Sequence, residues 1–158
     1  MFRTINLKKL ITSIIIPLGT GILAALFTMG SMDIYDEIIS PPLSPPSAVF
    51  PIVWTVLYIL MGISLYKVRV SKGDREHKEN GYRTFALQLI FNFLWSIVFF
   101  NLRAYTFSAI WLVALIVLII ANIFYFYKVD KGAAYLLIPY LIWCLFALYL
   151  NIGIAILN

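Results

Sequence analysis

Read from the N-terminus, the chain alternates between long stretches without a charged residue and short connections that hold almost all the charge. Leu10–Met32, Ile38–Tyr66, Thr84–Leu102, Ala104–Tyr127 and Gly132–Asn158 contain no Asp, Glu, Lys, Arg or His. A helix needs about 20 apolar residues to cross roughly 30 Å of hydrocarbon, and each run reaches or nearly reaches that length. A barrel would show short alternating segments instead of unbroken apolar runs. The pattern predicts an all-α, integral membrane bundle: a single domain over 1–158, with five transmembrane helices near 10–30, 47–67, 84–102, 107–127 and 134–157. The first run is read as a retained helix, since it is too long for a signal peptide and no small-residue cleavage site precedes a soluble domain.

Proline punctuates the runs unevenly. Pro17, Pro51 and Pro139 are each expected to interrupt an apolar helix, which membrane bundles tolerate when neighbours re-satisfy the freed carbonyls. Ser40–Pro51 reads SPPLSPPSAVFP, with five prolines in twelve residues. Proline fixes φ and restricts the residue before it, so this stretch cannot be helical throughout. The stretch is uncharged and predicts a stiff part of the proline-rich loop over 31–46, packed against the helix ends.

Composition agrees with this picture. Of 158 residues, 63% are apolar and 12% charged, against about 25% charged in a soluble domain. The net charge of +5 is explained by topology. Eleven of the twelve Lys and Arg lie in the N-terminal flank (Arg3, Lys8, Lys9), the second connection (Lys67–Arg83) and the fourth (Lys128, Lys131); only Arg103 lies on the other side. The positive-inside rule then puts the N-terminus in the cytoplasm, of a bacterial cell membrane as the expected setting. Contact with anionic lipid heads fits the Lys67–Arg83 stretch; nucleic acid is not an expected partner.

The apolar interior offers little conventional chemistry. Proton relays and ion pathways depend on ionisable groups inside the membrane, and the five runs hold none. General acid–base catalysis fails for the same reason. The single histidine, His77, lies among loop charges, and the single cysteine, Cys144, has no base near it in sequence. No metal or other cofactor is expected. What remains is a pattern of rings and amides. Trp54 and Tyr58 share one face of the second span. Gln88, Asn92, Trp95 and Phe99 form one stripe on the third. Tyr140, Trp143, Ala147 and Leu150 form another on the fifth, with Asn151 beside it. An amide in hydrocarbon needs a partner, so Gln88 and Asn92 are expected to face the bundle interior. Aromatic walls with a few placed polar groups suit a pocket for a flat, lipophilic ligand. The same stripes are also compatible with ordinary helix packing, and Tyr66, Tyr82, Tyr105, Trp111, Tyr125 and Tyr127 sit where interfacial belts form. Gly21 and Ala25 form a small-xxx-small pair.

The runs PPLSPPSAVFPIVWTVLYILMG, QLIFNFLWSIVFF and PYLIWCLFALYLN resemble the translocator protein, or tryptophan-rich sensory protein, family (TspO/MBR). The resemblance implies a five-helix bundle, often dimeric, that binds porphyrins, haem precursors, sterols and synthetic lipophilic ligands. Position by position, the family's loop pattern matches Tyr35, Ile38, Pro41, Pro45 and Pro46, and its helix-two aromatics match Trp54 and Tyr58. Its helix-three amide and tryptophan fall on Asn92 and Trp95, and its helix-five positions on Trp143, Ala147 and Leu150. The family's loop lysine is Ser40 here and its loop tryptophan is Leu43. The chain ends LNIGIAILN, without the terminal Lys or Arg of the sterol motif.

The expected ligand site is therefore Tyr35, Pro45, Trp54, Tyr58, Gln88, Asn92, Trp95, Tyr140, Trp143, Ala147 and Leu150, with a porphyrin or haem-precursor ligand, surrounding membrane lipid and a homodimeric assembly as partners. A sensor or carrier of tetrapyrroles is the leading expectation. Two alternatives are light-driven porphyrin oxidation using pocket tryptophans and a helix-packing role beside another membrane protein.

Overall fold

The computed structural model describes residues 4–158, so Arg3 of the basic flank lies outside the described residues. Every regular element among the described residues is helical. Helix α1 (Leu7–Thr28) runs into a 3₁₀ turn (Met29–Ser31), and the short α2 (Ile34–Glu37) interrupts the first connection. Then come α3 (Val49–Val70), α4 (Arg75–Ser96) with a π turn (Ile97–Asn101), α5 (Tyr105–Val129), the short α6 (Lys131–Leu136) and α7 (Ile138–Leu157). Five stretches are long and apolar enough to cross a membrane, with α6 and α7 together making the fifth.

The structure departs from expectation at the start of one span, at two prolines and in the first connection. The third span starts at Arg75, well before the apolar run. Asp74 caps the helix by accepting from the His77 N–H at 3.0 Å, and Arg75 bonds Glu79 one turn on at 2.9 Å, so a polar helical turn projects from the apolar segment. Pro51 and Pro139 do not interrupt helices; both stand in first turns, at α3 and α7, where the missing N–H would have no intrahelical partner. Pro139 instead separates α6 from α7 at Leu137. Only Pro17 lies inside a helix. The loop predicted over 31–46 is largely irregular but contains α2.

The five spans close into a ring. Helix α1 packs on α3 and, on its other side, on α4 and the π turn; α4 packs on α5, α5 on α6 and α7, and α6 returns to α3. The ring is tight at the basic end. A Cβ on Gly62 would lie 2.5 Å from the Ile14 Cα, so α1 and α3 meet backbone to backbone there, as small residues permit in membranes. The Ser64 hydroxyl donates to the Ala133 carbonyl at 2.7 Å, and Lys67 Nζ lies 3.6 Å from Asp130 Oδ1. Toward the other end α3 and α7 are not held this way, and the interior opens.

Gly62→Ala should therefore destabilise the protein by about 1–3 kcal/mol through overpacking. Gly19→Ala, where an added Cβ meets nothing within 4 Å, should be neutral or slightly stabilising. Thermal unfolding of both variants in one detergent checks this; equal melting temperatures would contradict the close α1–α3 approach.

Candidate functional site

The bundle's centre is held by a chain of side-chain hydrogen bonds joining α3, α4 and α7. The Tyr58 hydroxyl donates to Asn92 Oδ1 at 2.8 Å, and Asn92 Nδ2 donates to the Tyr140 hydroxyl oxygen at 2.9 Å. The Tyr140 hydroxyl donates to Gln88 Oε1 at 2.7 Å, and Gln88 Nε2 lies 3.6 Å from Met61 Sδ. All five residues are buried. Amides in an apolar interior are costly unless paired, and here every link is made. A second set joins α4, α5 and α7: Trp95 Nε1 donates to Asn151 Oδ1 at 3.0 Å, and Asn151 Nδ2 donates to the Tyr105 carbonyl at 2.9 Å.

Between these two anchors and the proline-rich connection lies a cavity of about 650 Å³, within the roughly 300–1,000 Å³ usual for small-molecule sites. Tyr35, Phe50, Trp54, Tyr58, Trp95, Phe99 and Phe100 supply its rings. Trp54 stacks on Tyr58 with centroids 5.7 Å apart, and Trp95 on Phe99 at 5.4 Å. Ala147, Leu150 and Ile154 form the α7 wall, and α1 contributes the small surfaces of Gly21, Ala24 and Ala25. The Tyr58 ring lies against Gly21, where an added Cβ would collide with it. The π turn lets Ser96, Phe99 and Phe100 all reach the lining; such widened turns recur at functional sites.

The connection roofs the cavity and is anchored mainly by backbone carbonyls. The Tyr35 hydroxyl donates to the Pro45 carbonyl at 3.1 Å, and burial raises the Tyr35 phenol above its ordinary pKa, keeping it a donor. The Tyr149 hydroxyl donates to the Pro42 carbonyl at 2.8 Å, and Asn158 holds Ile39 through both backbone groups at 2.9 and 3.0 Å. Pro41 packs where a Cβ on Gly153 would stand. Proline-rich backbone lacks N–H donors, so side chains from α2 and α7 meet its free acceptors. The lining is exposed at this end, at Met32, Asp33, Asp36 and Ser47, and also along α1 and α3, at Ile22, Ala25, Pro51 and Thr55.

Of the residues singled out from the sequence, the structure brings Tyr35, Trp54, Tyr58, Trp95, Ala147 and Leu150 to this cavity. Gln88, Asn92 and Tyr140 lie behind its wall. Asn92 spends its amide on the two tyrosines, so it positions Tyr58 instead of facing the hollow. Pro45 contributes its carbonyl to Tyr35. Trp143 lies elsewhere, in a shallower hollow with Val53, Leu57 and Phe146. Its ring meets Phe50 edge-on at 5.9 Å, and its indole nitrogen is buried with no hydrogen-bond partner among the described residues. Sequence reasoning left out the α1 wall, where Gly21 and Ala25 were legible only as a packing pair, and it left out Asp33, Asp36 and Phe100. No group of three or more potential metal ligands occurs among the described residues.

Five apolar spans around an aromatic-walled hollow define a multi-pass integral membrane protein with a cavity inside the bundle. Comparison with known sequences agrees: residues 13–157 match the TspO/MBR family, and the chain belongs to it. It is 38% identical to the tryptophan-rich protein TspO of Archaeoglobus fulgidus, over 97% of this chain and 99% of that one. It is also 38% identical to the protein of that name in Chlorobaculum tepidum, over 78% of each. The translocator protein of Bos taurus is 30% identical over 87% of this chain and 82% of its own.

Tyr140 bridges two amides and Tyr58 serves one. Tyr140→Phe strands Asn92 Nδ2 and Gln88 Oε1, whereas Tyr58→Phe strands only Asn92 Oδ1. Tyr140→Phe should be the more destabilising by about 1 kcal/mol, with membrane-buried polar pairs worth on the order of 1–2 kcal/mol. Thermal unfolding in detergent measures the difference, and the reverse order would refute the assignment of Tyr140 as the hub.

Proposed function

We propose that the protein is a membrane-embedded binding protein, a sensor or carrier, for planar lipophilic ligands of the porphyrin type. The observation that carries this reading is the cavity itself: about 650 Å³, walled by stacked ring pairs and small α1 residues. Rings prefer offset-stacked or edge-on partners, and both modes are available to a flat guest beside Trp54 and Trp95. The family's relatives include proteins named for tryptophan-rich sensing and for translocation, and both names suit a protein that binds a guest without converting it. On the distribution of basic residues, we place the N-terminus in the cytoplasm and the proline-rich end of the cavity on the opposite side.

Titration of a neutral porphyrin diester into the protein in a neutral detergent should quench tryptophan fluorescence saturably, at one ligand per chain. Ala147→Phe puts a ring into the cavity wall and should weaken binding about tenfold or more, an overpacking cost of about 1–3 kcal/mol. Trp54→Leu removes one stacking surface and should weaken it by roughly three- to tenfold, in line with about 0.5–1.5 kcal/mol per aromatic pair. Quenching that never saturates, and that both variants leave untouched, would describe partition into the micelle and remove the reading.

A further inference from the structure

The Lys67–Arg83 stretch, expected from the sequence to meet anionic lipid heads, spends most of its charge inside the protein. Lys67 pairs with Asp130 and Arg75 with Glu79. Arg69 Nη1 donates to the Lys9 carbonyl and to the Thr12 and Ser13 hydroxyls of α1, and Lys78 Nζ donates to the Ser71 carbonyl. The corner where α5 turns into α6 is different. Lys128 and Lys131 are both exposed there, and neither is in an ion pair among the described residues. The acid between them in sequence, Asp130, accepts from the Ala133 N–H at 2.9 Å and faces Lys67 at 3.6 Å, so its charge is already matched. On α4, which packs against α5, Asp74 bonds His77 and Glu79 bonds Arg75, leaving Glu76 as the remaining acid at this end.

Both free ammonium groups are held over rings. Lys128 Nζ lies 5.3 Å from the Phe124 centroid and Lys131 Nζ 5.5 Å from that of Tyr127, each a cation–π distance. Tyr135 of α6 meets Tyr127 edge-on at 6.3 Å. All three rings are exposed, and neither tyrosine hydroxyl bonds another described residue. Helix α5 ends at Val129 and α6 starts at Lys131, so the lysines stand at the end of a span and the rings one turn deeper. Cation, phenol and apolar ring thus follow one another in the order of phosphate, glycerol region and acyl chain in a phospholipid. A zwitterionic head carries its own cation and gains less from the lysines.

We propose that Lys128 and Lys131, with Phe124, Tyr127 and Tyr135 beneath them, form a docking surface for an anionic glycerophospholipid of the leaflet at the basic end. The lysines take the phosphodiester as point charges, and the exposed rings take the first part of the acyl chains. The surface lies on the outside of the bundle and does not depend on the reading of the cavity.

The test uses the full chain in neutral detergent, with native mass spectrometry counting retained lipid across titrations of dioleoyl phosphatidylglycerol and of dioleoyl phosphatidylcholine. Phosphatidylglycerol should bind about tenfold or more tightly, in keeping with the attraction of two lysines for an anionic head. Lys128→Gln with Lys131→Gln should remove most of that preference. Lys8→Gln with Lys9→Gln removes the same charge from α1, which packs on α3, α4 and the π turn. That pair should change the preference by less than about twofold, since exposed charges more than about 10 Å away are screened. Tyr127→Leu with Tyr135→Leu keeps both lysines and should weaken phosphatidylglycerol by about threefold through loss of the ring support. The deacylated headgroup, glycerophosphoglycerol, should not displace the lipid at equal concentration, because it has no chains to lie on the rings. Equal losses from the two lysine pairs would make the attraction diffuse, and displacement by the headgroup would make the corner a site for soluble phosphates. Either result, or the absence of any preference for phosphatidylglycerol, overturns the proposal.

Discussion

The structure depends on one buried hydrogen-bond chain, Tyr58–Asn92–Tyr140–Gln88. In lipid, apolar side chains gain little by leaving hydrocarbon for a protein interior, so helix association rests on close packing and on polar groups that have nowhere else to pair. Tyr140 accepts from one amide and donates to the other, which ties both turns of α4 to a single atom of α7. Tyr58 brings α3 into the same set. Three of the five spans are thereby fixed in rotation as well as position, and the face each turns toward the hollow follows from that.

The cavity is what the ring of helices leaves when it is tightened at one end only. Near the basic end Gly62 lets α1 and α3 touch along their backbones, and α6 closes on Ser64 and Lys67. Farther along, Pro139 ends α6 and starts α7 afresh, α1 offers Gly21 and alanines where a bulky residue would fill space, and the π turn after Ser96 swings two phenylalanines inward. The roof is then secured by hydrogen bonds to carbonyls of a segment too rich in proline to bond itself. Each feature is local, but together they hold open a space that hydrocarbon side chains would otherwise fill.

How much of this was legible depended on whether a residue carries a signal by its presence or by its absence. Charge-free runs announced the five spans, because charge in hydrocarbon is expensive wherever it occurs. The start of α4 was hidden, since Asp74 and the Arg75–Glu79 pair make a polar helical turn that resembles a loop to any search for apolar runs. Spacing set Tyr140, Trp143, Ala147 and Leu150 on one stripe, but a stripe i, i+3, i+7, i+10 is broad. In the structure its edge separates Trp143, in a hollow of its own, from Ala147 and Leu150 on the main cavity and from Tyr140 behind the wall. Asn92 was recognised as an interior amide, yet no spacing argument could say that two tyrosines would use up both ends of it. The α1 wall was the least visible part. Gly21 and Ala25 act by what they lack, and a missing side chain has no chemistry to read.

Selection by such a site cannot come mainly from hydrophobicity. A lipophilic guest already dissolved in the bilayer gives up one apolar setting for another, so the transfer gain of about 25 cal/mol per Å² available from water is largely spent before it reaches the protein. What the cavity adds must be shape, ring geometry and electrostatics. Shape requires that the walls be rigid beforehand, since any ordering on binding subtracts from a small gain. The hydrogen-bonded Tyr58 and Trp95 meet that need, each ring being held by its own polar atom and by a stacked neighbour, Trp54 and Phe99 respectively. Electrostatics is left to the polar groups of the lining, Thr28, Ser47, Thr55, Ser96 and Asn151, with Asp33 and Asp36 at its exposed end. On the reading proposed for the cavity, the rigid ring walls are thus what would set how flat a guest must be.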